Sequence, residues 1–166
     1  MKQIPISVIV VIKNVGAELE TCLSSLLQFD DILVVDSSED REAKELCEEY
    51  SALYHTYQWK GTYPKKRGWC LQNLSLKHNW VFFVDADEVV TPELNKELAA
   101  LFPTPPKEAG YFITGRYVWN GKLLSFGLKN RKIALFHKDR MHFPVIDDLD
   151  CPGMGEIEGH YQPVLK

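Results

Sequence analysis

Strands and helices alternate in the first two-thirds of the chain, and this order is the feature that most restricts the fold. Short apolar runs predict four strands, at residues 6–12, 32–35, 52–57 and 79–84. Amphipathic patterns predict the helices that follow them, near residues 17–27, 41–50, 64–78 and 92–101. Because helices can then cover both faces of a parallel sheet, the pattern indicates an α/β domain with a mainly parallel sheet flanked by helices.

The fourth predicted strand is followed at once by a group of carboxylates. Asp85, Asp87 and Glu88 lie within four positions of each other. In an extended chain residues two apart point the same way, so Asp85 and Asp87 are expected on one face, where their charges repel. A divalent cation bound by carboxylate oxygens would relieve that repulsion. The alternative is that Asp87 and Glu88 cap the helix that begins near residues 91–92.

Polar residues also follow two other predicted strands. Asn14 comes after the first strand, Asp36 after the second, and Asp85 with Asp87 after the fourth. Ligands of open parallel sheets bind at the carboxyl ends of the strands. Since these three strand ends fall along one edge, the sequence predicts a ligand-binding site there.

The length, charge and composition of the chain restrict which classes of function are plausible. A chain of 166 residues suits one domain with a real core. Its net charge of −4 and pI near 5.7 argue against nucleic-acid binding as its main role. No apolar run approaches the roughly 20 residues that a membrane-spanning helix needs. The cysteines lack metal-like or redox-like spacing, which predicts reduced thiols in a cytosolic protein.

The chain changes character after the proline-rich connection at residues 102–107. Asn120-Gly121 is a strong hairpin signal. Aromatic and β-branched stretches predict further strands on either side of it, at residues 110–119, 123–126 and 132–136. We therefore expect a β-rich, antiparallel extension of the α/β half within a single domain that spans residues 1–166.

These motifs together resemble the family-2 glycosyltransferases. The resemblance lies in residues 7–14 at the start, 36–38 after the second strand and 80–88 at the fourth. The chain looks most like the small bacterial enzymes grouped with lipopolysaccharide-core β-glucosyltransferases. The family implies a GT-A fold, with a Rossmann-like sheet and a β-rich C-terminal extension. Residues 1–101 would bind the nucleotide sugar, and residues 110–166 would face the acceptor.

The resemblance also implies a nucleotide pocket. Asn14 would line it, and Asp36 would accept hydrogen bonds from the base, commonly uracil in this family. Asp85 would lie near the ribose. Arg67 and Lys66 match a basic position at the start of the helix before the acid strand, where a cation stabilises a diphosphate leaving group. The alternative for this basic run is a charged surface exposed to solvent.

A divalent metal, Mn²⁺ or Mg²⁺, is implied as the cofactor. Asp87 would be its principal ligand and Asp85 a neighbouring one, in the DXD pattern of the family. His160 could complete the shell, because imidazole is an acceptable manganese ligand. The alternative for His160 is an ordinary surface or packing residue.

An inverting transfer needs a general base that takes the proton of the acceptor hydroxyl. Glu156 is the first candidate, since the segment around it resembles a family glutamate followed by glycine, and Asp148 is the second. For either residue a solvated acidic loop is the alternative. Tyr117 and Trp119 are candidates for a sugar-stacking wall or for ordinary sheet packing.

The sequence therefore predicts a metal-dependent, inverting glycosyltransferase of cell-envelope polysaccharide synthesis. Its donor would be a nucleotide-diphosphate sugar, with UDP favoured, and its acceptor a saccharide or a lipid-linked saccharide. We expect a cytoplasmic protein without a transmembrane segment and with no nucleic-acid partner, compatible with peripheral contact at the inner face of the membrane. The alternative is a module that binds nucleotide sugar or a partner without turnover. A nucleotidyltransferase is disfavoured because no glycine-rich phosphate loop follows the first strand.

Overall fold

A computed structural model describes residues 3–14, 16–104, 106–127, 130–158 and 161–166. Its first half alternates strands and helices. The strands are β1 (Ile4–Ile12), β2 (Phe29–Asp36), β3 (Leu53–Thr56) and β4 (Trp80–Asp85). The helices that follow them are α1 (Glu18–Ser25), α2 (Arg41–Glu49), α3 (Lys66–Asn73) and α4 (Pro92–Leu101). The predicted order of elements is confirmed.

The second half contributes short strands and two long ones. These strands are β5 (Gly110–Gly115), β6 (Val118–Trp119), β7 (Lys122–Leu123), β8 (Asn130–His137), β9 (Met141–His142) and β10 (Val164–Leu165). The hairpin predicted at Asn120-Gly121 joins β6 to β7, and both residues adopt positive φ, 47° and 72°. The predicted strand at residues 123–126 is wrong beyond Leu123, since the chain bends away there.

The central sheet has six strands in the order β3-β2-β1-β4-β8-β5. The first four strands are parallel, whereas β8 pairs antiparallel with both β4 and β5. The predicted α/β fold with a mainly parallel sheet is confirmed. The β-rich extension is therefore a continuation of the main sheet, and β8 places the second half beside the acid-bearing strand.

Strand β1 shows why both faces of the sheet are covered. Its side chains alternate, so Val8 and Val10 belong to a core cluster that contains Leu23 of α1. Ile9 and Val11 belong to the opposite cluster, which contains Cys70 of α3. A strand buried on both faces needs mostly apolar residues, and β1 has them except at Ser7, whose buried hydroxyl donates to Asp31.

Cys22, Cys47 and Cys70 are buried free thiols, as predicted, and Cys151 is an exposed one. Among the described residues, no helix has the length and apolar character required to cross a bilayer.

The packing at β5 leads to a prediction about two glycines of that strand. A Cβ on Gly110 would lie 2.9 Å from Met141 Sδ and 2.9 Å from Phe136 Cβ, which is closer than real contacts allow. Gly110→Ala should lower the free energy of unfolding by about 1–3 kcal/mol. Gly115→Ala is the matched control, because its Cβ would meet atoms only at 3.6 Å or more. Urea unfolding of both variants checks this, and equal midpoints would contradict it.

Candidate functional site

A groove of about 520 Å³ opens at the carboxyl edge of the sheet, where β1 and β4 end. The strand order reverses between these two strands, which is the position at which open α/β sheets bind ligands. The groove brings together four residues predicted from sequence, namely Asn14, Arg67, Asp85 and Asp87. The predicted residues Asp36, Lys66, Asp148 and Glu156 do not line it.

The predicted geometry of the two aspartates is wrong. Strand β4 ends at Asp85, and a turn follows in which Glu88 N–H donates to the Asp85 carbonyl at 2.9 Å. Asp85 N–H in return donates to Glu88 Oε2 at 3.0 Å. Because the chain leaves the extended conformation here, Asp87 does not share a strand face with Asp85. The capping alternative is also wrong, since Thr91 caps α4.

Asp85 is the centre of a charged cluster. Arg67 Nη2 lies 2.8 Å from Asp85 Oδ1, and Lys132 Nζ lies 2.6 Å from Asp85 Oδ2. Lys132 also pairs with Glu88 at 2.8 Å. Burial opposes ionisation of Asp85, but the charges of Arg67 and Lys132 outweigh it and hold the pKa of this carboxyl below its usual range. The cluster therefore fixes two cations at the rim of the groove.

The predicted three-ligand metal shell is not assembled among the described residues. No group of three or more His, Cys, Asp or Glu side chains is positioned there to bind a metal ion, and His160 lies outside them. The oxygens of Asp85 and Glu88 already pair with cations. Asp87 is exposed, lines the groove and makes no hydrogen bond or ion pair within the described ranges. This geometry fits a metal bound by one carboxylate together with substrate phosphates, as is common for Mg²⁺.

Lys66 is buried beside the groove. Its Nζ donates to the Ile12 carbonyl at 2.7 Å and to Ser37 Oγ at 2.6 Å, and it lies 3.0 Å from Glu156 Oε1. The side chain has no solvent exposure. The exposed-surface alternative is wrong for Lys66 and equally for Lys65. Lys66 therefore links the carboxyl end of β1, at Ile12, to the residue that follows β2, Ser37.

Glu156 is the partner of that lysine. Burial raises the pKa of its carboxyl, but hydrogen bonds from Ser37 and Lys66 lower it further than burial raises it. The carboxylate accepts from Ser37 Oγ at 2.6 Å. An ionised carboxylate with a lowered pKa is a weak proton acceptor, so this contact favours a role in holding Lys66. The assignment of Glu156 as the base stays a prediction.

Asp148 occupies a second buried ion pair. Its Oδ2 lies 2.6 Å from Lys65 Nζ, and its Oδ1 accepts from the Tyr63 hydroxyl at 2.5 Å. These two hydrogen bonds lower the pKa of the carboxyl. Asp148 is only 3% exposed, so the solvated-loop alternative is wrong for this residue. Its catalytic role stays a prediction.

Asp36 is also buried. Its carboxylate accepts from the backbone N–H groups of Ser38 and Asp40 at 2.7 and 2.9 Å and from the Tyr54 hydroxyl at 2.8 Å. Burial raises the pKa of Asp36, but a hydrogen bond from the Ser38 hydroxyl at 2.6 Å, together with the three just named, lowers it further than burial raises it. The side chain thus shapes the turn that leads into α2. Its predicted contact with a base is untested.

Sequence reasoning missed two residues of this site. Lys132 bridges Asp85 and Glu88 from β8. Glu158 is buried and accepts from the backbone N–H groups of Arg67 and Gly68, at 3.1 and 2.6 Å, in the first turn of α3. Because these contacts join residues that are far apart in sequence, a local sequence pattern could not predict them.

Comparison with known proteins identifies the family. The model of the family described as "Glycosyl transferase family 2" matches residues 7–157. The chain belongs to glycosyltransferase family 2. Its resemblance at family level is therefore confirmed, while the lipopolysaccharide-core branch stays a prediction.

Individual relatives of this family-2 chain are distant. An uncharacterized glycosyltransferase of Rickettsia bellii (strain RML369-C) is 28% identical over 98 residues, which are 58% of this chain and 32% of that protein. Residues 1–349 of S. aureus TarS are 19% identical, with a TM-score of 0.53 over 84% of this chain and 50% of that one. The chain thus spans a third to a half of these proteins.

A third neighbour extends the likeness in fold. The 4-diphosphocytidyl-2C-methyl-D-erythritol synthase of Anaerococcus prevotii is 17% identical. Its TM-score is 0.53, over 81% of this chain and 71% of that one. At such low sequence identity, similarity to solved structures shows the fold alone. Together with the family match, it confirms the predicted GT-A architecture.

The buried pair at the sheet edge leads to a stability prediction. Glu156→Gln leaves the Lys66 ammonium buried without a counter-charge, so the free energy of unfolding should fall by about 3 kcal/mol. Glu45→Gln is the control, because Glu45 forms an exposed pair with Arg41 that contributes only about 0.5 kcal/mol. Urea unfolding compares the two, and equal effects would contradict the buried pair.

Asp85 leads to a prediction about pH. Its lowered pKa means that its pairs stabilise the fold above about pH 4 and that this contribution is lost as the pH falls through the folded-state pKa. Asp85→Asn should therefore be less stable than the wild type at neutral pH, and the gap should narrow in acid. Asp87→Asn is the control. Thermal unfolding across the acid range checks this, and a gap independent of pH would contradict it.

Proposed function

We propose that this chain forms the donor-binding part of an inverting glycosyltransferase that takes a sugar from a nucleotide diphosphate, with UDP favoured. The observation that carries the proposal is the groove at the β1–β4 edge, which is lined by Arg67, Asp85 and the exposed Asp87, with Lys132 paired to Asp85 beside it. Membership of glycosyltransferase family 2 supports glycosyl transfer as the reaction. The proposed acceptor is a saccharide or a lipid-linked saccharide of a cell-envelope polysaccharide, assembled on the cytoplasmic side.

Arg67 is the residue best placed to bind the leaving diphosphate. Its guanidinium lines the groove and donates through Nη2 to Asp85. Its Nε is buried and has no hydrogen-bond partner within the described structure. A buried N–H without a partner is costly, and an anionic oxygen would satisfy it. The diphosphate gains negative charge as the glycosidic bond breaks, so Arg67 and Lys132 would stabilise the transition state more than the ground state.

A divalent metal fits the same groove. Asp87 would hold it together with the oxygens of the diphosphate. When bound, Mn²⁺ or Mg²⁺ supplies positive charge to the leaving group. Asp85 would act by keeping Arg67 and Lys132 in place at the rim.

Glu156 is the first candidate for the base, and Asp148 is the second. Each carboxylate is paired with a buried lysine, and hydrogen bonds that include this contact lower its pKa and so weaken it as a proton acceptor. Because both candidate bases are held in buried ion pairs, a second function is also supported, namely a module that binds nucleotide sugar without turnover. Loss of transfer in variants of these residues will not decide between the two functions unless folding is measured as well.

Calorimetric titration with UDP tests the donor site. UDP should bind the wild type, and Arg67→Gln should weaken binding by about 10- to 100-fold because a charge-assisted hydrogen bond is lost. Lys77→Gln is the control, since Lys77 precedes β4 at the opposite edge of the sheet and pairs with Asp30. Equal binding by all three proteins, or none by the wild type, would overturn the donor site.

The same titration with and without Mn²⁺ tests the metal. Wild-type protein should bind UDP more tightly with Mn²⁺, and Asp87→Ala should bind it equally with and without the ion. Asp139→Ala, at the opposite edge just after β8, is the matched control and should respond to Mn²⁺ like the wild type. A full Mn²⁺ effect in Asp87→Ala would show that Asp87 is not the ligand.

A further inference from the structure

A hairpin projects from the sheet at the same edge as the groove. Strand β5 ends at Gly115 opposite Asn130, where β8 begins. Two residues further along β8, Lys132 contacts Asp85. The intervening segment, residues 116–126, contains β6 and β7 and is called the edge hairpin below. It therefore stands at the rim of the proposed donor site.

The edge hairpin exposes an unusual amount of apolar surface. Trp119 is 70% exposed and Phe126 81%. The other large apolar residues of the hairpin that are exposed are Tyr117, Val118, Leu123 and Leu124. Pairing within the hairpin therefore leaves more than half of the Tyr117 and Trp119 side chains exposed. Large exposed apolar residues that lie next to each other mark an interaction site.

Both faces of this ribbon are apolar. Val118 pairs with Leu123, so these two side chains share one face. Trp119 pairs with Lys122, and the Leu124 N–H donates to the Tyr117 carbonyl at 2.9 Å, which places these side chains on the other face. A protein partner that docks on one face would leave the second face in water. A lipid interface surrounds a thin ribbon on both faces.

The charged side chains of the hairpin and of its flanks in sequence are all basic. Residues 109–138 contain no Asp or Glu, in a chain with a net charge of −4. The cations of the hairpin and its flanks in sequence are Arg116, Lys122, Lys129 and Arg131, whereas Lys132 is paired with Asp85 and Glu88, and Lys138 lies at the opposite edge of the sheet. Aromatic residues next to Lys and Arg are typical of segments that lie in the interface of an anionic membrane. A single sugar-stacking wall would not require so many cations or aliphatic residues.

We propose that the edge hairpin docks on the surface of an anionic lipid bilayer, with Trp119 and Phe126 inserted among the headgroups. The binding itself does not require the proposed function. Its consequence rests on that function, because docking would hold the groove at the membrane, where a lipid-linked acceptor presents its sugar.

Vesicle co-sedimentation tests the docking. The protein should bind vesicles of phosphatidylcholine mixed with phosphatidylglycerol, bind phosphatidylcholine alone more weakly, and dissociate as salt is raised. The double variant Trp119→Ser/Phe126→Ser should lower the partition coefficient by about tenfold or more. The matched control is Leu27→Ser/Val145→Ser, which removes exposed apolar residues outside the hairpin and should leave binding unchanged. Circular dichroism verifies that both variants are folded.

Two outcomes would overturn the proposal. One is no binding to anionic vesicles, or binding that the hairpin variant retains in full. The other is a wild-type dimer that the hairpin variant converts to monomer in size-exclusion chromatography, because a second copy would then be the occupant. Arg67→Gln separates this proposal from the donor site, since it should bind vesicles like the wild type whatever its effect on UDP.

Discussion

The two buried lysines at the start of α3 determine how this structure closes. Lys65 and Lys66 have essentially no exposure, and each carries a charge that the interior tolerates only with a partner. Asp148 and Glu156 are those partners, and both come from the last part of the chain. The C-terminal segment is therefore held against the carboxyl edge of the sheet by charge as well as by packing.

This closure positions the neighbouring residue, Arg67. Glu158 accepts from the backbone N–H groups of Arg67 and Gly68, which fixes the first turn of α3. The Arg67 side chain can then extend to Asp85 at the end of β4, where Lys132 arrives from β8. Two separate elements, α3 and β8, thus bring cations to Asp85 at the end of a third, β4. A rigid arrangement of this kind suits the stabilisation of charge that develops during a reaction.

Much of the fold could be predicted because its determinants are local. Strands such as β1 and β4 have apolar residues in sequence, and Asn120-Gly121 has the backbone preference of its turn. The site was only partly predictable. Asn14, Asp85 and Asp87 were found because strand ends converge in parallel sheets, and Arg67 was found through the family resemblance.

The partners of the charged residues could not be predicted. Lys65 and Asp148 are 83 residues apart, and Ser37 and Glu156 are 119 apart, so only the folded chain shows that they meet. The strand periodicity also failed at Asp87, because β4 ends at Asp85 and a turn begins. The partners of the buried charges and the position of Asp87 both depend on tertiary structure, which the residue types alone do not determine.

The groove between β1 and β4 should bind the diphosphate of a nucleotide. A crystal structure of this chain with UDP tests it most directly. We expect a phosphate oxygen within hydrogen-bond distance of the Arg67 guanidinium and the nucleotide lying along the ends of β1 and β4. A nucleotide bound elsewhere, such as the cavity of about 350 Å³ between α3 and the β8–β9 turn, would contradict it.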